Sequence, residues 1–236
     1  MKVAIHQPIY FPWLGYFYKI ALADVFVFLD DAQFCKNRFD NRNRIAGQRG
    51  TQWLTVPVHH PLGQAINETC FADPRWARKH LGTIRAVYGR SPGFAACFPV
   101  LSVLFDASRW KNLAEFNMAA AQQVCRLLGL PVPTVCSSAL RIDGTGGPRL
   151  AEIVRAVGGD TYLSGQGGAN YQTPEDFELL GVQLEYLKYP EFRCWEHSAR
   201  TGQSQPKEDQ PPLSVLDFLF TFGKEARERF SSYLSG

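Results

Sequence analysis

His6, Gln7, Tyr10, Phe11, Trp13 and Tyr16 fall within eleven residues, between and beside Pro8 and Pro12. An imidazole there can move a proton near neutral pH. Four rings in the same stretch can stack a base or line a sugar. Gly15 marks a helix start whose free N–H groups suit a phosphate or carboxylate. A second set, Asp30, Asp31 and Gln33, follows an apolar run. Adjacent residues on an extended chain point to opposite faces, so one carboxylate of the pair is expected to enter a site, to bind a metal, a ribose or a substrate amine. A third set, Lys36, Arg38, Asn41, Arg42, Asn43 and Arg44, alternates Asn with the planar Arg fork that clamps a diphosphate or a nucleic-acid backbone. The fourth is Tyr162 and Ser164-Gly165-Gln166-Gly167-Gly168 with Tyr171. Glycines after a strand let backbone amides approach an anion. No Gly-Lys-Ser/Thr follows, so this is not a Walker loop, and Ser164 is not in a Gly-x-Ser-x-Gly elbow. His59 and His60 point apart on a strand, and His80 and His197 have no Cys or carboxylate at ligand spacing, so the chain carries no zinc motif.

The elements that must position these groups follow from periodicity. Lys2 to Ile5 reads as a strand, Gly15 to Ala23 as a helix and Val25 to Leu29 as a buried strand. That βαβ unit makes the strands parallel and places ligands beyond their carboxyl ends, at His6 to Tyr16 and Asp30 to Phe34. Asn37 to Gly50 reads as a basic loop and Thr51 to Val58 as a strand. Asp73-Pro74 opens a mostly helical middle running to about residue 130, with helices to Tyr88, over Phe94 to Phe105 and over Asn112 to Leu128. Thr134 to Leu140 is a strand candidate, Pro148 to Val157 a helix, Asp160 to Ser164 a strand, Thr173 to Glu175 the cap of a short helix and Val182 to Leu187 a strand. Residues 195–212 are polar and aperiodic and read as a flexible segment before a last helix, Val215 to Phe222, capped by Ser214. The expected fold is α/β, a Rossmann-like, mostly parallel sheet in one domain over 1–236 with a helical insertion at about 73–130.

The composition narrows the function class. Of 236 residues 45% are apolar and 20% charged, which excludes disorder and coiled coil. With 17 Phe, 9 Tyr and 5 Trp but only 2 Met, rigid rings build the core and any pocket. The net charge of +3, from 25 basic and 22 acidic residues, does not make a general polyanion binder. Six dispersed Cys without a C-x-x-C pair or a leader read as reduced thiols in a cytoplasm, and no apolar stretch is long enough to span a bilayer.

The run His6-Gln7-Pro8, Tyr10-Phe11-Pro12-Trp13-Leu14-Gly15-Tyr16, Ala23-Asp24-Val25-Phe26-Val27, Leu29-Asp30-Asp31, Gln33-Phe34 and Asn41-Arg42-Asn43 resembles the opening of the WbqC-like family of bacterial proteins. Later matches keep the order: Trp53 to Val58, Tyr162 to Gly165 with Gly168 and Tyr171, and Leu213-Ser214, Asp217 to Phe220 and Gly223. The resemblance implies a role near surface-polysaccharide or O-antigen assembly, beside enzymes that make nucleotide-activated amino sugars. The chain departs from the family pattern at Gly147-Pro148-Arg149 and at Thr221-Phe222-Gly223, so a substrate touching those positions would differ. The opening also has the layout of the nucleotidylyltransferase-like fold. There Trp13-Leu14-Gly15-Tyr16 keeps the Gly of a His-x-Gly-His loop and lacks both imidazoles, which argues against adenylylation.

Together these features lead to an expected acyl or aminoacyl transferase acting on the amine of a nucleotide-linked amino sugar, with His6, Asp30 or Asp31 in the proton transfer. Gln7, Tyr10, Trp13, Gly15, Tyr16, Gln33, Asn41, Arg42, Asn43, Ser164, Gly165, Gly167, Gly168 and Tyr171 are the expected substrate contacts. Two rivals remain open at this point: a nucleotide-sugar or partner-binding module without chemistry, and a protein that binds RNA, such as an aminoacyl-tRNA donor. The sequence names no cofactor.

Overall fold

Alternate residues of the central strands belong to two different apolar layers. Ala4, Phe26, Phe28 and Leu163 pack with one set of helices, and Val3, Ile5, Val27 and Tyr162 with another. A strand with both faces buried belongs inside a parallel sheet covered by helices on each side. The computed structural model, which describes residues 1–47, 50–170, 172–192 and 212–235, has that arrangement. Five parallel strands, β1 (Lys2–His6), β2 (Val25–Phe28), β5 (Thr134–Cys136), β6 (Thr161–Ser164) and β7 (Gln183–Tyr186), lie in the order β5-β2-β1-β6-β7. On one face sit α1 (Leu14–Ala21), α2 (Trp76–Tyr88), α3 (Phe94–Ser102), α4 (Leu113–Leu128), α8 (Val215–Phe222) and α9 (Ala226–Ser232). On the other sit α6 (Gly146–Ala156) and α7 (Glu175–Glu178). The chain builds outward from β1 through β2 to β5, then returns to β6 on the other side of β1 and continues to β7. The order therefore reverses between β1 and β6, and their carboxyl ends, His6 and Ser164, flank the switch point where ligands bind in such sheets.

Two readings of the sequence are corrected. The basic loop expected over Asn37 to Gly50 contains a strand, β3 (Arg42–Gly47), that pairs antiparallel with β4 (Gly50–Thr55). Its charges hid it: Asn43 and Arg44 are buried, and their polar groups face protein instead of solvent. The strand expected over Thr134 to Leu140 stops at Cys136, and Ser137–Leu140 forms a helical turn, α5. There the Ser138 N–H and the hydroxyls of Ser137 and Ser138 are drawn to Asp30, which an extended chain would not allow. The helix α9 went unread. The segment expected to be flexible lies, except for Pro212, outside the described residues, as does Tyr171. Five cysteines, Cys35, Cys70, Cys97, Cys125 and Cys136, are free thiols. Among the described residues no helix is long and apolar enough to cross a membrane.

The stretch after β1 has almost no regular structure, so its carbonyls need partners from elsewhere. Asn117 of α4, fully buried, donates through Nδ2 to Pro8 O at 3.0 Å and to Asp40 O at 2.8 Å. Asn43 donates to Tyr10 O and Phe11 O, and Ser214 Oγ donates to Phe11 O at 2.8 Å. Backbone pairs Tyr10 N to Phe39 O and Val215 N to Pro12 O complete the clamp. It holds Phe11 at φ 38°, a left-handed conformation that costs a bulky residue energy and persists only when its surroundings enforce it. The adjoining α8 carries Asp217, whose Oδ1 accepts the Ala46 N–H while Oδ2 has no hydrogen-bond partner among the described residues by distance and angle. Burial pushes this carboxyl up to about 7.

Replacing Asn117 by Leu, similar in size but without the amide, leaves two buried carbonyls unpaired. The expected loss is about 2–4 kcal/mol in urea denaturation, and a change under about 0.5 kcal/mol would remove the clamp from the account. Asp217 acts in the opposite sense with pH. Its folded form holds the proton more tightly than the unfolded chain, so it contributes a penalty that is absent below about pH 4, grows as pH rises and is complete above about 7. Asp217→Asn should therefore raise the melting temperature at pH 8 and not at pH 4, with a gap of a few °C between the two measurements.

Candidate functional site

A cleft of about 780 Å³ opens at the switch point, beneath the carboxyl ends of β1, β2 and β6. His6 stands at its centre because β1 ends there and Pro8 turns the chain away. The imidazole Nδ1 lies 3.0 Å from Gln7 O. A carbonyl only accepts, so Nδ1 carries the proton and Nε2 keeps its lone pair. The Tyr16 hydroxyl donates to the same carbonyl at 3.2 Å, and its ring meets the imidazole edge-on at 4.9 Å. Burial, then the nearby Lys19 charge, lowers His6 from 6.5 to about 4, against the smaller upward pull of Gln7 O. The ring is neutral at neutral pH.

Lys19, on α1, is 3% exposed and lines the cleft floor. Its Nζ donates to Ile5 O at 2.7 Å and lies 5.6 Å from the centre of the Tyr162 ring. Burial lowers this amine to about 7. Nothing in the reading of the sequence selected it, although a single lysine in the apolar run Phe17-Tyr18-Lys19-Ile20-Ala21 was the available signal. Asp31 and Arg149 form the opposite wall. Arg149 Nη2 donates to Asp31 Oδ2 at 2.5 Å, Arg149 Nε donates to Ile142 O, and Ser137 Oγ donates to Asp31 Oδ1 at 2.6 Å. The chain turns at Asp30 and Asp31 instead of running on extended, with the Ala32 N–H on Leu29 O, and both carboxylates reach the Ser137 hydroxyl. Asp30 turns inward to Ser137, Ser138 and Asn67 and is 4% exposed, while Asp31 faces the cleft.

The remaining edges are backbone-rich. Thr145 and Gly146 at the exposed start of α6 and the turn Gln166–Asn170 after β6 border the cleft. Gly168 must be glycine, since a Cβ there would stand 2.2 Å from Ser164 Oγ. Ser164 itself is buried, donates to Gly165 O and accepts from Gln172 Nε2 at 2.7 Å. Trp13 and Tyr189 close the mouth with ring centres 5.0 Å apart.

The structure thus brings His6, Gln7, Trp13, Asp31, Gln33, Gly165, Gly167 and Gly168 together around one space. It sets others elsewhere. Tyr10 is fully buried, pairs with His80 Nδ1 at 2.8 Å and packs on Phe116. Tyr16 lies behind His6, buried. Gly15 lies under Trp13, whose indole occupies the space within 2.1–2.5 Å of where a Cβ would stand. Asn41 donates to Val56 O, and Asn43 is spent on the clamp. Arg42 donates to Asn37 O and covers the Trp53 ring at 4.3 Å.

A parallel sheet with helices on both faces and a polar cleft at its switch point defines an α/β protein of the Rossmann-like class. The chain matches the WbqC-like protein family over residues 7–229 and belongs to it. It is 31% identical over 227 residues, 95% of each chain, to the uncharacterized protein Rv1507c of Mycobacterium tuberculosis. No solved structure matches it.

Gly→Ala inside a helix ordinarily gains up to about 1 kcal/mol. Gly15→Ala should reverse that sign, losing about 1 kcal/mol in urea denaturation, because the indole must leave its contacts with Tyr189 and Phe192. A gain in stability would show that Trp13 is not anchored there.

Proposed function

We propose that this protein is a transferase of bacterial surface-glycan or related small-molecule biosynthesis, moving an acyl or aminoacyl group onto the amine of a nucleotide-linked amino sugar. The observation that carries the reading is the neutral His6, its tautomer set by Gln7 O and its Nε2 left as an acceptor in the wall of a large cleft. An acceptor amine sheds a proton as its N–C bond forms, and a neutral imidazole at that point takes it. Burial keeps the imidazole unprotonated, and the Lys19 charge adds to that effect. Arg149, the α6 N-terminus and the glycine turn supply donors suited to phosphate, and Trp13 and Tyr189 suit the flat face of a base or sugar. Membership of the WbqC-like family supports the setting, through the surface-polysaccharide role that the resemblance implies. Arg42 is engaged within its hairpin, which favours a small ligand over an RNA backbone.

The test begins with thermal unfolding in the presence of UDP, dTDP, their amino sugars, acetyl-coenzyme A and aminoacyl esters. A ligand at a hundredfold excess over its Kd stabilises by about 2.7 kcal/mol. With a responsive pair, His6→Gln should cut turnover by about 10²–10⁴ while nucleotide binding stays within a few fold. Wild-type activity should fall with acid through about pH 4, below the ordinary imidazole range, since the unprotonated ring is the working form. Unchanged turnover in His6→Gln would remove the base from the mechanism. Binding with no turnover of any pair would leave a nucleotide-sugar binding module.

A further inference from the structure

A second cleft, of about 520 Å³, adjoins the first and shares His6, Gln7 and Trp13 with it. Its character differs from that of the first. Ile9, Trp13, Phe39 and Pro212 give it apolar walls, and where the first cleft carries Lys19 and Arg149, this one holds a carboxyl, Asp40, 2% exposed. Asp40 Oδ2 accepts the Cys35 N–H at 2.8 Å, and Oδ1 has no hydrogen-bond partner among the described residues. Asn43, also on the wall, has both ends of its amide committed to backbone, so it offers nothing to a ligand. Arg38 stands exposed at the mouth. Its charge favours the ionised form of Asp40, but burial outweighs it and raises the carboxyl to about 6.

A carboxyl with one open oxygen, set among apolar and aromatic walls, matches an ammonium group attached to a compact apolar body: the ammonium supplies the missing donor and the walls take the side chain. We propose that this second cleft is the donor site and that it holds the aminoacyl part of an activated aminoacyl ester or thioester, its amine on Asp40. This rests on the transferase reading of the first cleft and narrows its donor from acyl groups in general to those bearing a free amine. The two substrates then meet at His6 and Gln7, which both clefts share. The acceptor amine attacks the donor carbonyl, an N–C bond forms and the C–O or C–S bond breaks. The proton taken by His6 Nε2 passes to the departing alcohol or thiol, so no other reactant is needed. Gln7, whose side chain has no hydrogen-bond partner among the described residues and which lines both clefts, is placed to donate to the carbonyl oxygen as charge builds there.

The experiment titrates the full chain with L-leucine methyl ester and L-phenylalanine methyl ester, each against its counterpart lacking the amine, by ligand-observed NMR. The amine-bearing esters should bind at least tenfold more tightly. Asp40→Asn, which keeps an oxygen for Cys35 N–H, should abolish that preference and leave UDP binding within twofold. Phe39→Ala, which removes a wall and keeps the carboxyl, should weaken both members of each pair alike. Equal affinities in the wild-type protein, no binding of either ester, or a preference that survives Asp40→Asn would each overturn the proposal. His6→Gln should keep the amine preference whether or not it loses turnover, so failure of the donor site and failure of the His6 mechanism read out separately.

Discussion

The fold depends on where the carbonyls of one irregular loop find their hydrogens. Residues 7–13 leave the central strand through two prolines, and a backbone that cannot join a sheet or helix carries polar groups that are costly to bury alone. Asn117, Asn43 and Ser214 supply the donors, and they come from α4, β3 and the cap of α8. Three elements far apart in the chain are thereby tied to the point where β1 ends. The apolar layers supply the bulk of the favourable free energy, but they are non-directional. The clamp gives direction: it fixes the path of the loop, enforces the left-handed Phe11 and so sets Trp13 where it lines both clefts.

Electrostatics then differentiate the two spaces. Lys19 and Arg149 are both sheltered, but they are satisfied differently. Lys19 has one backbone carbonyl and loses proton affinity through burial, whereas Arg149 keeps a carboxylate partner in Asp31. Asp31 in turn is aimed by the turn that follows β5, where Ser137 bridges to it from the buried Asp30. Removing Asp30 would thus disturb the cleft without touching anything in it. His6 sits near these charges as a neutral group with an open lone pair, and its neutrality follows from burial and then from Lys19.

Much of this scaffold was legible because it follows from apolar periodicity. Val25-Phe26-Val27-Phe28 is too apolar to be anything but a doubly buried strand, and with the Pro-bounded end of β1 it located the site at the carboxyl edge of a parallel sheet. What was hidden has a common cause. Asn41 and Asn43 look like ligand contacts in a basic loop, yet their amides serve backbone carbonyls, and β3 is a strand whose polar residues are buried. Side-chain amides that satisfy backbone leave no periodic trace, because the partner is a carbonyl present in every residue type. Tyr10 and Lys19 were misjudged in opposite directions for the same reason. A hydroxyl paired with His80 can be wholly interior, and an amine on Ile5 O can be interior while lining a cleft.

The residues through which the chain resembles its family divide along the same line. Tyr10, Phe11, Asn41, Asn43, Ser214 and Asp217 build the frame, and His6, Gln7, Trp13, Asp31, Gln33, Gly165 and Gly168 face the cleft. Frame and cleft are therefore coupled, since a displaced loop would displace His6 with it. The α6 side of the cleft is built separately. Arg149 meets Asp31 on one wall of the cleft, and Gly147, two residues before it, admits Asp176 so closely that a Cβ there would force a shift. A change at this helix start would alter the donors offered to a ligand and leave the clamp untouched, because Asn117, Asn43 and Ser214 sit on other elements.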